Sequence, residues 1–132
     1  MRKITNIRFK GYKVFSVQEY VAIENISPVN VIIGKNNSGK SSLLDVVATA
    51  VDADYFKKYS SLIHDLEVVF IIDNAALGSV FSQYSSINGV YQPHIRAQQS
   101  IGHPYRVVMS KLARKQDIQC QREIMVSLLL RD

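Results

Sequence analysis

The residues best able to do chemistry lie in one run, Gly34-Lys35-Asn36-Asn37-Ser38-Gly39-Lys40-Ser41. It fits the pattern G-x-x-x-x-G-K followed by Ser or Thr. Each fixed position has a physical task. Glycine at 34 and 39 lets the backbone turn tightly and approach phosphate oxygens with no Cβ in the way. Successive N–H groups then form a nest for an anion, and a helix starting at the end of the loop points its positive pole at the same charge. The Lys40 ammonium suits the β and γ phosphates of a nucleotide, and the Ser41 hydroxyl offers an oxygen to Mg²⁺. The expected site is Gly34, Asn36, Asn37, Ser38, Gly39, Lys40, Ser41 and Ser42, with Ser41 as metal ligand and ATP with Mg²⁺ as cofactors.

Chance would place such a run in roughly one unrelated chain of this length in a few hundred. Its flanks reduce that further. Before it, Val29, Val31, Ile32 and Ile33 make a β-branched stretch without helical spacing, as in a strand buried on both faces. After it, Leu43, Leu44, Val46, Val47, Ala50 and Val51 follow helical spacing and predict a helix over 40–51. A strand, a glycine loop and a helix in that order are what phosphate binding requires.

The remaining elements build the frame. Ile4, Ile7 and Phe9 predict a strand ending at a Gly11 turn. Val14, Phe15 and Val17 predict a second extended run, and residues 20–23 a third. Asp52 or Asp54 is expected to end one helix and open another, with Tyr55, Phe56, Tyr59, Leu62 and Ile63 on its apolar side. Residues 66–72 read as a strand, and Asp73 or Asn74 as the cap of a short helix. Residues 82–104, with Asn88-Gly89, two prolines and several glutamines, read as a loop, and residues 105–112 as a strand. The apolar positions of 118–130 fit strand and helix equally well.

Hydrolysis needs more than this loop supplies. A second carboxylate usually stands at the end of an apolar strand to hold the magnesium-bound water. Asp73 follows such a strand, but the next residue is Asn74, and a helix cap is the preferred reading. Leu128-Leu129-Leu130-Arg131-Asp132 imitates the pattern with an arginine intervening. No catalytic residue is assigned. His64, His94 and His103 lack metal-ligand spacing, and the single Cys120 reads as an ordinary packed residue.

Composition sets the outer limits. The chain has 132 residues, 47% of them apolar and 20% charged, which suits one globular domain. No apolar run approaches the roughly 20 residues of a membrane span, and nothing at the N-terminus reads as a secretory signal, so a cytoplasmic setting is expected. The net charge of +5 favours anionic partners. Arg2, Lys3, Arg8, Lys10 and Lys13, and later Lys111, Arg114 and Lys115, read first as solvated faces, with DNA contact as the lesser reading.

With these residues in place, a family resemblance emerges. Ile7-Arg8-Phe9-Lys10-Gly11-Tyr12-Lys13-Val14-Phe15, followed by the strand, loop and Ser42-Leu43-Leu44, resembles the start of ABC-type ATPase heads. The likeness is to the group of RecF, SMC and Rad50-like proteins and the OLD-family (AAA15-type) ATPases of phage defence. Asn-Asn-Ser-Gly-Lys-Ser-Ser is particularly like the OLD type. The resemblance covers about residues 4–51 and implies that Asn36 and Ser38 line the γ-phosphate side. It also implies that two heads sandwich two ATP molecules, giving a homodimer or larger assembly, with DNA or an effector protein as a further partner. A Ser-Gly-Gly-Gln signature and an Asp-Glu strand are missing, and Gln83, Gln92, Gln98, Gln99 and Gln116 are all candidates for the family's magnesium-contacting glutamine.

The expectation is an α/β P-loop NTPase of ABC ATPase-like form. Residues 1–132 would be the N-terminal lobe of an incomplete head, with a parallel core strand and an antiparallel N-terminal β subdomain. Nucleotide binding without turnover is expected of the lobe alone. Two alternatives stand beside it. One is a compact P-loop kinase or GTPase with Asp73 as metal acid; the other is a non-hydrolysing nucleotide-binding interaction module.

Overall fold

The structure is a computed structural model, and it describes residues 3–24, 39–81, 85–86, 89–90 and 92–130. Its centre is a four-stranded antiparallel sheet in the order β2-β1-β3-β6, made of β1 (Lys3–Lys10), β2 (Val21–Ile23), β3 (Asp65–Ile71) and β6 (Pro104–Ser110). Around it lie α1 (Lys40–Val51), α2 (Ala53–Tyr59), a one-turn α3 (Asn74–Ala76), α4 (Gln92–Gln99) and α5 (Lys115–Leu130). A two-stranded ribbon of β4 (Ser85–Ser86) and β5 (Gly89–Val90) stands apart from the sheet.

The register decides which face is buried. Ile7 pairs with Val68 and Val68 with Val107; Phe9 pairs with Leu66 and Leu66 with Met109. Cross-strand partners share a face, so these residues stand together on one side. They join Val46 and Ala50 of α1, Phe56 of α2 and Ile124 of α5 in a single core cluster. Each large apolar side chain buried this way contributes about 1.5–3 kcal/mol. β6 alternates cleanly, with Tyr105, Val107 and Met109 buried and Arg106 and Val108 exposed, as an edge strand with one wet face should.

Alternation also places Lys10, Asp65 and Ser110 in one row on the opposite face. Asp65 is buried there. It accepts from Tyr20 Oη at 3.0 Å, sits 2.9 Å from His64 Nδ1 and pairs with Lys10 Nζ at 3.4 Å. Arg8 stacks on the Tyr20 ring at 3.7 Å. Burial alone would push the Asp65 carboxyl up, but hydrogen bonds from Ser110, Tyr20, His64 and Lys10 outweigh it and hold the group below its ordinary value.

Several expectations are met. The helix over 40–51, the strands near 66–72 and 105–112, and the short strand at 20–23 are all present. Asp52 accepts from the amides of Asp54 and Tyr55 and so caps α2, although only Phe56 of that helix is buried and Tyr55, Tyr59 and Leu62 are exposed. The antiparallel N-terminal sheet is as expected, while the parallel core strand at 29–33 lies outside the described residues.

Two expectations need correcting. Val14, Phe15 and Val17 do not form a strand. Tyr12 and Phe15 exchange backbone hydrogen bonds of 3.2 and 2.9 Å around Lys13 and Val14, making a two-residue turn. Lys13 takes φ +49°, the positive value such turns require at one central residue. The loop expected over 82–104 contains the β4–β5 ribbon and α4, whose Ala97 reaches the core. Residues 118–130, undecided from sequence, are helical. Cys120, Ile124, Met125, Leu128 and Leu129 form the buried stripe of α5 against β6 and α2.

Candidate functional site

The described part of the glycine-rich run is its second half. Gly39 precedes α1, and Lys40, Ser41 and Ser42 form the first turn of that helix. Gly34, Asn36, Asn37 and Ser38 lie outside the described residues. Gly39 adopts φ +89°, and a Cβ there would come 2.9 Å from Val14 Cγ2 and 3.2 Å from Phe15 Cζ. Conformation and contact therefore both require glycine at this position.

The start of α1 is open to an anion. Its first i→i−4 bond runs from the Leu43 amide to the Gly39 carbonyl at 2.8 Å, so the amides of Lys40, Ser41 and Ser42 precede the helical ladder. Among the described residues no side chain caps this end, and the first turn carries no acidic residue. Twelve helical residues stand behind these amides, with their dipole aimed the same way. Ser41 is exposed and Lys40 half-buried, whereas Ser42 faces the core. An ammonium, a hydroxyl and uncapped amides form a donor set fitted to a nucleotide phosphate with a divalent metal. Lys40 would hold phosphate oxygens and Ser41 would give the metal an oxygen. The bound metal would neutralise phosphate charge.

A second set of contacts fixes the site to the sheet. Asp45, the only acid in α1, accepts from Lys13 Nζ at 2.9 Å and from the buried Tyr12 Oη at 3.0 Å. The Lys13 bond lowers the Asp45 carboxyl below its usual range, and the same bond raises Lys13. Tyr12 is raised by burial and by its bond to Asp45. From the other side Phe15 meets Phe9 edge-to-face at 5.0 Å, and Phe9 belongs to the sheet core. The turn at 12–15 thus wedges Val14 and Phe15 against Gly39 while holding α1 one turn further along. The sequence offered only a faint sign of this, a lone acid among the apolar positions of a helix.

Other candidates fall elsewhere. Asp73 Oδ1 accepts from the Ala76 amide at 2.7 Å, so the residue caps α3 as preferred. Gln98 and Gln99 stand exposed on α4, Gln92 begins that helix, Gln116 lies in the first turn of α5, and Gln83 is outside the described residues. Most of the early basic group is not merely solvated: Arg8 covers Tyr20, Lys10 pairs with Asp65 and Lys13 with Asp45. Among the described residues no group of His, Cys, Asp and Glu could hold a metal ion, and no helix is long and apolar enough to cross a membrane.

The family model of the AAA ATPase domain, AAA_15, matches residues 2–122, which takes in the sheet, the glycine-rich run and the first half of α5. The chain belongs to the AAA_15 family. It is thus an ATP-binding domain of the P-loop ATPase class, in which nucleotide is bound with a divalent metal. No curated protein and no solved structure matches the chain. Gly39 and the start of α1 lie within the matched residues, and the turn at 12–15 packs against them.

Proposed function

We propose that this chain binds Mg-ATP through residues 34–42 as one lobe of an ABC-type head of the RecF, SMC and OLD kind. The observation that carries the proposal is the start of α1, uncapped among the described residues and free of acids, at which Lys40 and Ser41 complete the phosphate-binding pattern. Lys40 neutralises the β and γ phosphates, Ser41 ligates Mg²⁺, and Asn36 and Ser38 line the γ-phosphate. In this reading two heads close on two nucleotides, and closure directs DNA-bound or phage-defence machinery in the cytoplasm. The lobe alone binds without turning over, because no residue is assigned to activate water.

Asp73 as a metal acid, the kinase or GTPase alternative, is disfavoured because its carboxylate is already occupied as a helix cap. Sedimentation of the chain with and without Mg-ATP tests head closure. A nucleotide-dependent dimer that Lys40→Ala abolishes supports it. A monomer at saturating Mg-ATP refutes closure by this lobe while leaving nucleotide binding intact.

A further inference from the structure

Away from α1, where β3 and β6 meet α5, lies a cavity of about 150 Å³. Leu66, Met109 and Ile118 make its apolar wall, and His64, Lys111 and Arg122 also line it. Neither Lys111 nor Arg122 has an ion-pair partner among the described residues, although Lys10, Lys13, Arg106 and Arg114 all do. His64 is held by Asp65 at 2.9 Å and its amide bonds to the Gly11 carbonyl at 3.0 Å, so that wall is fixed in place. Ser60, also lining the cavity, has a buried hydroxyl with no hydrogen-bond partner among the described residues. Beside these lining residues along the chain, Leu62 and Leu112 are 55% and 86% exposed.

We propose that this cavity is a docking site for an acidic, apolar peptide segment of a partner protein. One apolar side chain fills the cavity, and flanking carboxylates meet Lys111 and Arg122. The volume suits the insertion, since a cavity of this size accepts a benzene-sized group. Two uncompensated cations beside an apolar wall select an anionic ligand with an apolar body. Leu62 and Leu112 favour a peptide over a small acid, because a ligand confined to the cavity would leave both in water. None of the lining residues belongs to α1, so the proposal does not depend on the nucleotide reading.

The test is a titration of the isotope-labelled chain, followed by amide chemical shifts, with capped hexapeptides. One set has Phe or Leu flanked by Glu and Asp, a second has Ser at the apolar position, and a third has Lys at the acidic positions. Benzoate serves as the small-acid arm. The proposal expects the first set alone to shift Met109, Lys111, Ile118 and Arg122 together. It also expects affinity to fall at least about tenfold in a chain carrying Lys111→Glu and Arg122→Glu, and to weaken with salt. The milder Lys111→Gln and Arg122→Gln pair replaces that variant if circular dichroism shows it unfolded. Failure of every apolar, acidic peptide to shift these residues overturns the proposal, as does affinity unchanged by the substitutions. Benzoate binding as tightly as the peptides overturns it in favour of a small-molecule pocket.

Discussion

Two aspartates tie the N-terminal segment to the rest of the molecule, and they do so under different conditions. Asp65 is buried on the sheet and gathers Tyr20, His64, Lys10 and Ser110 around one carboxylate. Asp45 is half-exposed on α1, and among the described residues its carboxylate holds only Tyr12 and Lys13. A glycine with positive φ accompanies each. Gly11, at +75°, leaves no room for a Cβ against His64, and Gly39, at +89°, leaves none against Val14. The buried hub joins strands, so its loss should damage the fold. The exposed clamp joins a turn to the helix that faces phosphate, so its loss should register mainly in binding.

Replacing the hub should have the largest effect on stability. Asp65→Ala leaves buried donors and the Lys10 charge without their acceptor and should cost about 3–5 kcal/mol in urea unfolding at neutral pH. The same carboxyl gives a pH signature. Its value is lowered in the folded chain, so its contribution is complete above the unfolded value near 4 and is lost as pH falls through the lower folded value. Wild-type stability should therefore decline below about pH 4, and Asp65→Ala should show less of that decline. Equal slopes in the two proteins would remove Asp65 from this role.

Gly39→Ala comes next. Strained φ and the approach to Val14 should cost about 1–3 kcal/mol, with a parallel loss of nucleotide affinity as the helix start shifts. Full affinity in a folded Gly39→Ala chain would show that the wedge does not seat the site. Asp45→Asn should be mildest for the fold, because its ion pair is solvent-exposed and screened. It should still weaken Mg-ATP binding roughly threefold, as an exposed pair permits. A large stability loss with unchanged affinity would reverse the contrast between the two aspartates.

Legibility from sequence follows the same division between local and long-range causes. The α1 boundaries were readable because a helical apolar period opens at Leu43, one turn after Gly39, and β3 and β6 because their runs are β-branched or alternating. The end of the chain was ambiguous: Ile118 and Cys120 are two apart while Ile124 and Met125 are adjacent, and only packing on β6 selects the helix. In α4 the glutamines hide the period, and among the residues of that helix whose burial is described Ala97 alone joins the core. Val14 to Val17 looked extended by residue type, but the turn at Lys13 reverses the chain first. The phosphate motif is contiguous and was visible. Its clamp was not, because Lys13 and Tyr12 reach Asp45 across 32 and 33 residues.

The central claim is that the start of α1 holds the phosphates of Mg-ATP, and calorimetry tests it most directly. Mg-ATP and Mg-GTP would be titrated into the wild-type chain and into Lys40→Ala. The account predicts ATP binding, little GTP affinity, and an ATP affinity reduced at least about a hundredfold in a folded Lys40→Ala chain. ATP binding that survives Lys40→Ala unchanged would contradict it.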